Sequence, residues 1–110
     1  MNYLNYCTTG EKKVIIDLID SILATNVTVS VNDGMEWTLK RSTDKVEILK
    51  ALNSTDSDLL RLRCAETGER VGWISLVWQY SYHQPAEVIS NYSANDYTDS
   101  IVDLILERWG

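Results

Sequence analysis

Apolar residues recur at helical spacing from Val14 through Ile15, Leu18, Ile19 and Ile22 to Leu23, and from Val27 onward the period changes to two. This spacing predicts a helix from about Gly10 to Ala24, opened at Thr8 or Thr9, with Thr8 and Glu11 three apart as a capping box requires. Asn26 then turns the chain into Val27, Val29 and Val31, which alternate with Thr28 and Ser30 as a strand with one buried face. Asn32-Asp33-Gly34 reads as a hairpin turn, because glycine reaches the positive φ that tight turns need, and Met35, Trp37 and Leu39 read as the return strand. Ser42-Thr43-Asp44 supplies N-cap side chains for a second helix, whose apolar stripe is Val46, Leu49, Ala51 and Leu52. Residues 53–57 end it as a polar loop.

The pattern then repeats. Leu60, Leu62 and Cys64 face one way and Arg61 and Arg63 the other, Glu66-Thr67-Gly68 makes a turn, and Val71 to Trp78 returns. This return strand is apolar on both faces: Ile74, Leu76 and Trp78 suit the core, which leaves Val71, Trp73, Ser75 and Val77 on the arginine side if the pleat stays regular. Residues 79–96 form a long connection with a helical turn at Pro85 to Ile89, and a last helix runs from about Thr98 to Trp109 over Ile101, Val102, Leu104 and Ile105. The expected fold is α+β: one domain over residues 1–110, with a four-stranded antiparallel sheet, helices packed on one face and the order α-ββα-ββα.

Composition adds few constraints. A chain of 110 residues with 45% hydrophobic content can bury one core. Cys7 and Cys64 lie far apart with no CxxC neighbourhood, so they read as free, buried or half-buried thiols in a reducing cytoplasm. No targeting segment or membrane span is legible, and three Asn-x-Ser/Thr tripeptides read as turn and strand residues.

Charge matters more. The net charge of −6 is uneven: residues 1–70 carry nine basic and eleven acidic side chains, whereas residues 71–110 carry Arg108 against five acids. Such a field repels phosphates and anionic lipid, so neither nucleic acid nor membrane is an expected partner unless a local basic patch escapes the average.

Candidate chemistry is sparse. His83 sits alone in the long loop, with no serine, cysteine or second histidine at a motif spacing. The pairs Asp17/Asp20 and Asp99/Asp103 share helix faces, as solvated carboxylates usually do. Asp56 and Asp58 resemble a fragment of a calcium loop without its glycine and distal glutamate. No phosphate cradle or nucleophile elbow is present, and no catalytic residue, metal or cofactor is assigned. The aromatic run Trp78, Tyr80, Tyr82 and His83 invites comparison with base-stacking platforms, but its surroundings are acidic.

Ser30 to Trp37, Lys40 to Asp44, Val71-Gly72-Trp73 and Glu87 to Ser93 resemble stretches of small bacteriophage and prophage proteins of unassigned function. The likeness spans roughly residues 30–95. It departs at His83-Gln84-Pro85, which those proteins tend to fill with Gly and Asn, and in the long C-terminal helix. The resemblance implies synthesis in a bacterial cytoplasm and brings no catalytic residues.

The expectation is therefore a non-enzymatic accessory protein that binds a protein partner or itself. Its surface would comprise the outward sheet face and the long loop: Arg61, Arg63, Trp73, Val77, Tyr80, Tyr82 and His83. Whether Trp73 is exposed there or covered by the last helix or the loop is left open, because a strand apolar on both sides also fits coverage on both sides. The alternative is an acidic inhibitor that imitates DNA and occupies a nucleic-acid enzyme.

Overall fold

The computed structural model describes residues 3–78 and 84–110. Helix α1 (Thr9–Leu23) leads into strands β1 (Val27–Asn32) and β2 (Trp37–Ser42), then helix α2 (Lys45–Ala51) and strands β3 (Ser57–Cys64) and β4 (Arg70–Val77). A 3₁₀ turn (Pro85–Val88) runs directly into strand β5 (Ile89–Tyr92), and helix α3 (Asp96–Trp109) follows. The α+β class holds, but the sheet has five strands rather than four, all antiparallel, in the spatial order β2-β1-β3-β4-β5. The expected order α-ββα-ββα is corrected by β5, which lies between the second hairpin and the last helix. Short and lacking clear alternation, Ile89–Tyr92 acquires strand geometry by pairing with β4, Ile74 opposite Tyr92 and Leu76 opposite Ile89.

Local signals account for most boundaries. Thr8 accepts from the Glu11 amide at 3.0 Å while the Glu11 carboxylate accepts from the Thr8 amide at 2.9 Å, so the capping box forms in full. Asn26 takes φ +59° after α1, and Gly34 and Gly68 take φ +102° and +75° at the two hairpin turns. Asp44 caps α2 through the Glu47 amide. The α2 stripe differs from the expected one: Ile48, Leu49 and Leu52 are buried, whereas Val46 is 48% exposed. The β1–β2 connection also differs. Met35 is 91% exposed in the turn, and Trp37 and Leu39 lie on opposite sheet faces, opposite Asn32 and Val31.

All three helices contribute to one apolar cluster on one side of the sheet. Val14, Ile15, Leu18, Ile19 and Ile22 of α1, Ile48 and Leu49 of α2, and Ile101, Val102 and Ile105 of α3 meet Val29, Val31, Leu60, Leu62, Ile74 and Leu76. Where the middle of α1 meets the C-terminal end of α3, Asp17 accepts from Trp109 Nε1 at 2.8 Å and from Arg108 at 2.6 Å. Burial opposes ionisation of Asp17, but these hydrogen bonds and the guanidinium outweigh it and hold the carboxyl below its ordinary range. Asp17 thus belongs to the α1–α3 contact, not to a freely solvated face.

Gly72 sets the approach of α3 to β4. A Cβ there would lie 2.0 Å from Thr98 Oγ1 and 2.8 Å from Ser93 Oγ, and these two hydroxyls hydrogen-bond each other at 2.9 Å. Thr98 is fully buried and also donates to Asn95, whose Nδ2 reaches the Val71 carbonyl. Gly72→Ala is expected to force this seam apart and to destabilise the protein by about 1–3 kcal/mol, as overpacking does. Chemical denaturation should show Gly72→Ala/Thr98→Ala recovering part of that loss, and an unchanged midpoint for Gly72→Ala would contradict the packing.

Candidate binding surface

Among the described residues, the second side of the sheet carries no helix. Along β3, Leu60 and Leu62 point into the core, so Leu59, Arg61 and Arg63 point outward, with Arg61 opposite Ser30 of β1 and Trp73 of β4. Trp73 is 37% exposed, Arg61, Arg63 and Val77 are half-buried, and α3 lies on the far side of the sheet against Gly72. Of the expected surface residues, the structure therefore brings Arg61, Arg63, Trp73 and Val77 onto one face. Tyr80, Tyr82 and His83 lie outside the described residues. Trp78, read as part of the same aromatic run, is a core residue.

Two irregularities change which side chains this face displays. In β4 the register slips between Leu62/Gly72 and Arg63/Arg70, so Arg70, not Val71, stands opposite Arg63. Val71, expected outward on a regular pleat, packs against the core instead. In β2 the pairing jumps from Val29/Ser42 to Val31/Leu39, and Arg41 absorbs the extra length at φ +50° with its amide donating to Ser30 Oγ at 2.9 Å. Lys40 and Arg41 both border the outer face as a result.

The outcome is a cationic, aromatic strip running across the strands. Arg61 stacks on Trp37 with its guanidinium carbon 4.1 Å from the ring centroid. On one side of Arg61 lies a depression of about 240 Å³ lined by Ser30, Trp37, Lys40, Arg41, Arg61 and Arg63. On the other lies a more apolar one of about 350 Å³ lined by Leu59, Arg61, Arg70, Gly72 and Trp73. Desolvation, and then the charges of Arg41, Arg70 and Arg61, push the Arg63 guanidinium below its ordinary pKa. Among the described residues the ion pairs are Lys45–Asp20 and Arg108–Asp17, and neither involves an arginine of this strip. Arg63 instead donates to the Gly68 carbonyl at 2.9 Å.

Sequence reading missed Trp37, Lys40, Arg41 and Arg70. For Lys40, Arg41 and Arg70 the signal was the local density of basic residues in both hairpins, which a whole-chain charge conceals, whereas Trp37 is placed by the register shift of β2.

Other reactive side chains have structural assignments. Asp58 is buried, and its Oδ2 accepts from Trp78 Nε1 at 2.7 Å and from the Asn53 amide at 2.9 Å. Its Oδ1 has no hydrogen-bond partner among the described residues. Desolvation raises this carboxyl to about 6 against the lowering effect of those two donors. Cys7 and Cys64 are free and half-buried; burial raises Cys7 to about 11, and hydrogen bonds from Thr67 and the neighbouring backbone lower Cys64. Among the described residues no three His, Cys, Asp or Glu side chains gather to hold a metal, and no helix is long and apolar enough to cross a membrane. Of the pair Asp56 and Asp58, Asp58 is turned inward onto Trp78 and the Asn53 amide.

A carboxyl that titrates near 6 when folded and near 4 when unfolded binds its proton more tightly in the folded state. Its contribution to stability is therefore fully present below about pH 4 and is lost as pH rises through about 6. Asp58→Asn, which keeps an acceptor for both donors, should remove this slope, with a difference on the order of 2–3 kcal/mol across the window. Denaturation midpoints of the two proteins measured from pH 4 to 7 would check it, and parallel curves would refute it.

Comparison with known proteins finds no matching family model, no similar curated protein and no similar solved structure.

Proposed function

We propose that this chain is a non-enzymatic accessory protein that docks a protein partner on the uncovered face of its sheet. The observation that carries this reading is the set of arginines around exposed Trp73, in a sheet whose other face is fully used for the core. Tryptophan and arginine are the side chains most often found as energetic anchors of interfaces, and here they surround two adjoining depressions. The buried Asp58 is occupied by Asn53 and Trp78, which supports a structural role for the most perturbed carboxylate. The resemblance to phage and prophage proteins suits a small accessory factor acting in a bacterial cytoplasm.

A second reading, an acidic inhibitor that imitates DNA, draws support from the exposed carboxylates Asp96, Asp99, Asp103 and Glu107 along α3. The two readings place the working surface on opposite sides of the molecule.

Affinity capture from bacterial lysate with the native protein, Trp73→Ala and Asp103→Asn separates them. The sheet-face reading expects a specific partner that Trp73→Ala loses by roughly tenfold or more, as interface anchors do, and that Asp103→Asn retains. The reverse pattern would replace it with the acidic-inhibitor reading, and capture unaffected by Trp73→Ala would end it.

A further inference from the structure

We infer that the sheet face receives an acidic segment of a partner polypeptide, with carboxylates on the arginines and an apolar side chain in the slot beside Trp73. This rests on the docking role proposed for that face and specifies its ligand chemistry.

Charge complementarity carries the first part. Arg41, Arg61, Arg63 and Arg70 converge on one surface, and among the described residues none is within ion-pair distance of a carboxylate. Like charges held together without counter-charges favour an anionic ligand, whose binding relieves their repulsion. Stacking on Trp37 also orients Arg61. A guanidinium lying over an indole keeps its N–H edge free for in-plane acceptors, and a carboxylate is the protein group that fits this fork with two parallel hydrogen bonds.

The second part comes from the asymmetry of the two depressions. One is bordered by Lys40, Arg41, Arg61 and Arg63, the other by Leu59, Gly72 and Trp73 with Arg61 and Arg70 at its rim. A segment with acidic and apolar side chains in close succession can fill both at once. β2, an edge strand bordering the first depression, carries the irregular pairing around Arg41, which disfavours simple strand addition there and leaves side-chain recognition as the source of specificity.

Two other occupants fit less well. Single-stranded nucleic acid gains affinity from several open aromatic platforms, but Arg61 already covers one face of Trp37. A symmetric dimer through this face would set one arginine cluster against its copy, which like-charge repulsion opposes.

The test titrates isotope-labelled protein with three probes. These are a dozen-residue peptide alternating glutamate with leucine, its glutamine-for-glutamate counterpart, and an oligothymidylate of similar length. Indole and arginine side-chain resonances report the site, and anisotropy of the labelled probe reports affinity. The acidic peptide should shift the Trp73 and Trp37 indoles and bind at least roughly tenfold more tightly than the glutamine peptide. Arg61→Ala and, separately, Arg70→Gln should each weaken it several-fold or more while leaving the amide spectrum of the fold intact. Affinity should also fall when sodium chloride is raised to about 0.5 M.

Equal binding of the glutamine peptide would overturn the acidic chemistry yet leave the face as a docking surface. Tighter binding of oligothymidylate at the same resonances would reassign the ligand to nucleic acid. Concentration-dependent self-association abolished by Arg61→Ala would reassign it to a second copy. If no probe disturbs Trp73 or Trp37, this inference fails, and the docking role is then decided by the Trp73→Ala capture alone.

Discussion

The structure depends on a five-stranded antiparallel sheet that, among the described residues, carries its helices on one side only. Helices α1, α2 and α3 all send their apolar stripes to the face formed by Val29, Val31, Leu60, Leu62, Ile74 and Leu76, and each such side chain contributes roughly 1.5–3 kcal/mol when fully removed from water. Because strand side chains alternate, every residue committed to that face obliges its neighbour to point the other way. Leu60 and Leu62 therefore place Leu59, Arg61 and Arg63 outward, and Ile74 places Trp73 and Ser75 beside them. The proposed working surface is thus a geometric consequence of where the core lies. It needs no separate scaffold.

Irregular pairing then enriches that surface. Slips at Arg41 and between Gly72 and Arg70 each insert length into one strand, and both bring an arginine to the outer face; the second turns Val71 inward as well. A protein that is acidic overall carries a local cationic strip in this way. Its net charge describes the helical side, where Asp96, Asp99, Asp103 and Glu107 are exposed, better than it describes the sheet. With a screening length of about 8 Å at physiological salt, a ligand on the outer face responds mainly to the arginines beneath it.

The two ends of the chain are fastened by different devices. Asp17 joins α1 to α3 through Trp109 and Arg108, and an exposed ion pair of that kind would be worth little without the indole hydrogen bond and the packing around it. Asn53, at φ +65°, accepts from the Tyr6 amide and donates its own amide to Asp58, which in turn holds Trp78. That buried polar chain connects the segment before α1, the loop after α2 and the end of β4. Among the described residues one oxygen of that carboxylate has no hydrogen-bond partner, and it is burial that raises the Asp58 pKa.

Features governed by neighbours in sequence were legible without coordinates. The capping box at Thr8 and Glu11, the turns at Asn26, Gly34 and Gly68, the period-two pattern of β1 and β3 and the outward direction of Arg61 and Arg63 all follow from local sterics, hydrogen bonding and alternation. Features set by distant partners were not. Strand β5 exists because Ile89–Tyr92 meets the free edge of β4, Val71 and Arg70 exchange roles because the ladder slips against β3, and Trp37 turns outward because β2 is offset against β1. Alternation along a strand is a local property of the chain, whereas register belongs to two strands at once, and one residue of slip exchanges the faces. The sequence by itself therefore determined that an arginine-bearing sheet face would exist, and the tertiary structure decided that Arg41, Arg70, Trp37 and Trp73 would share it.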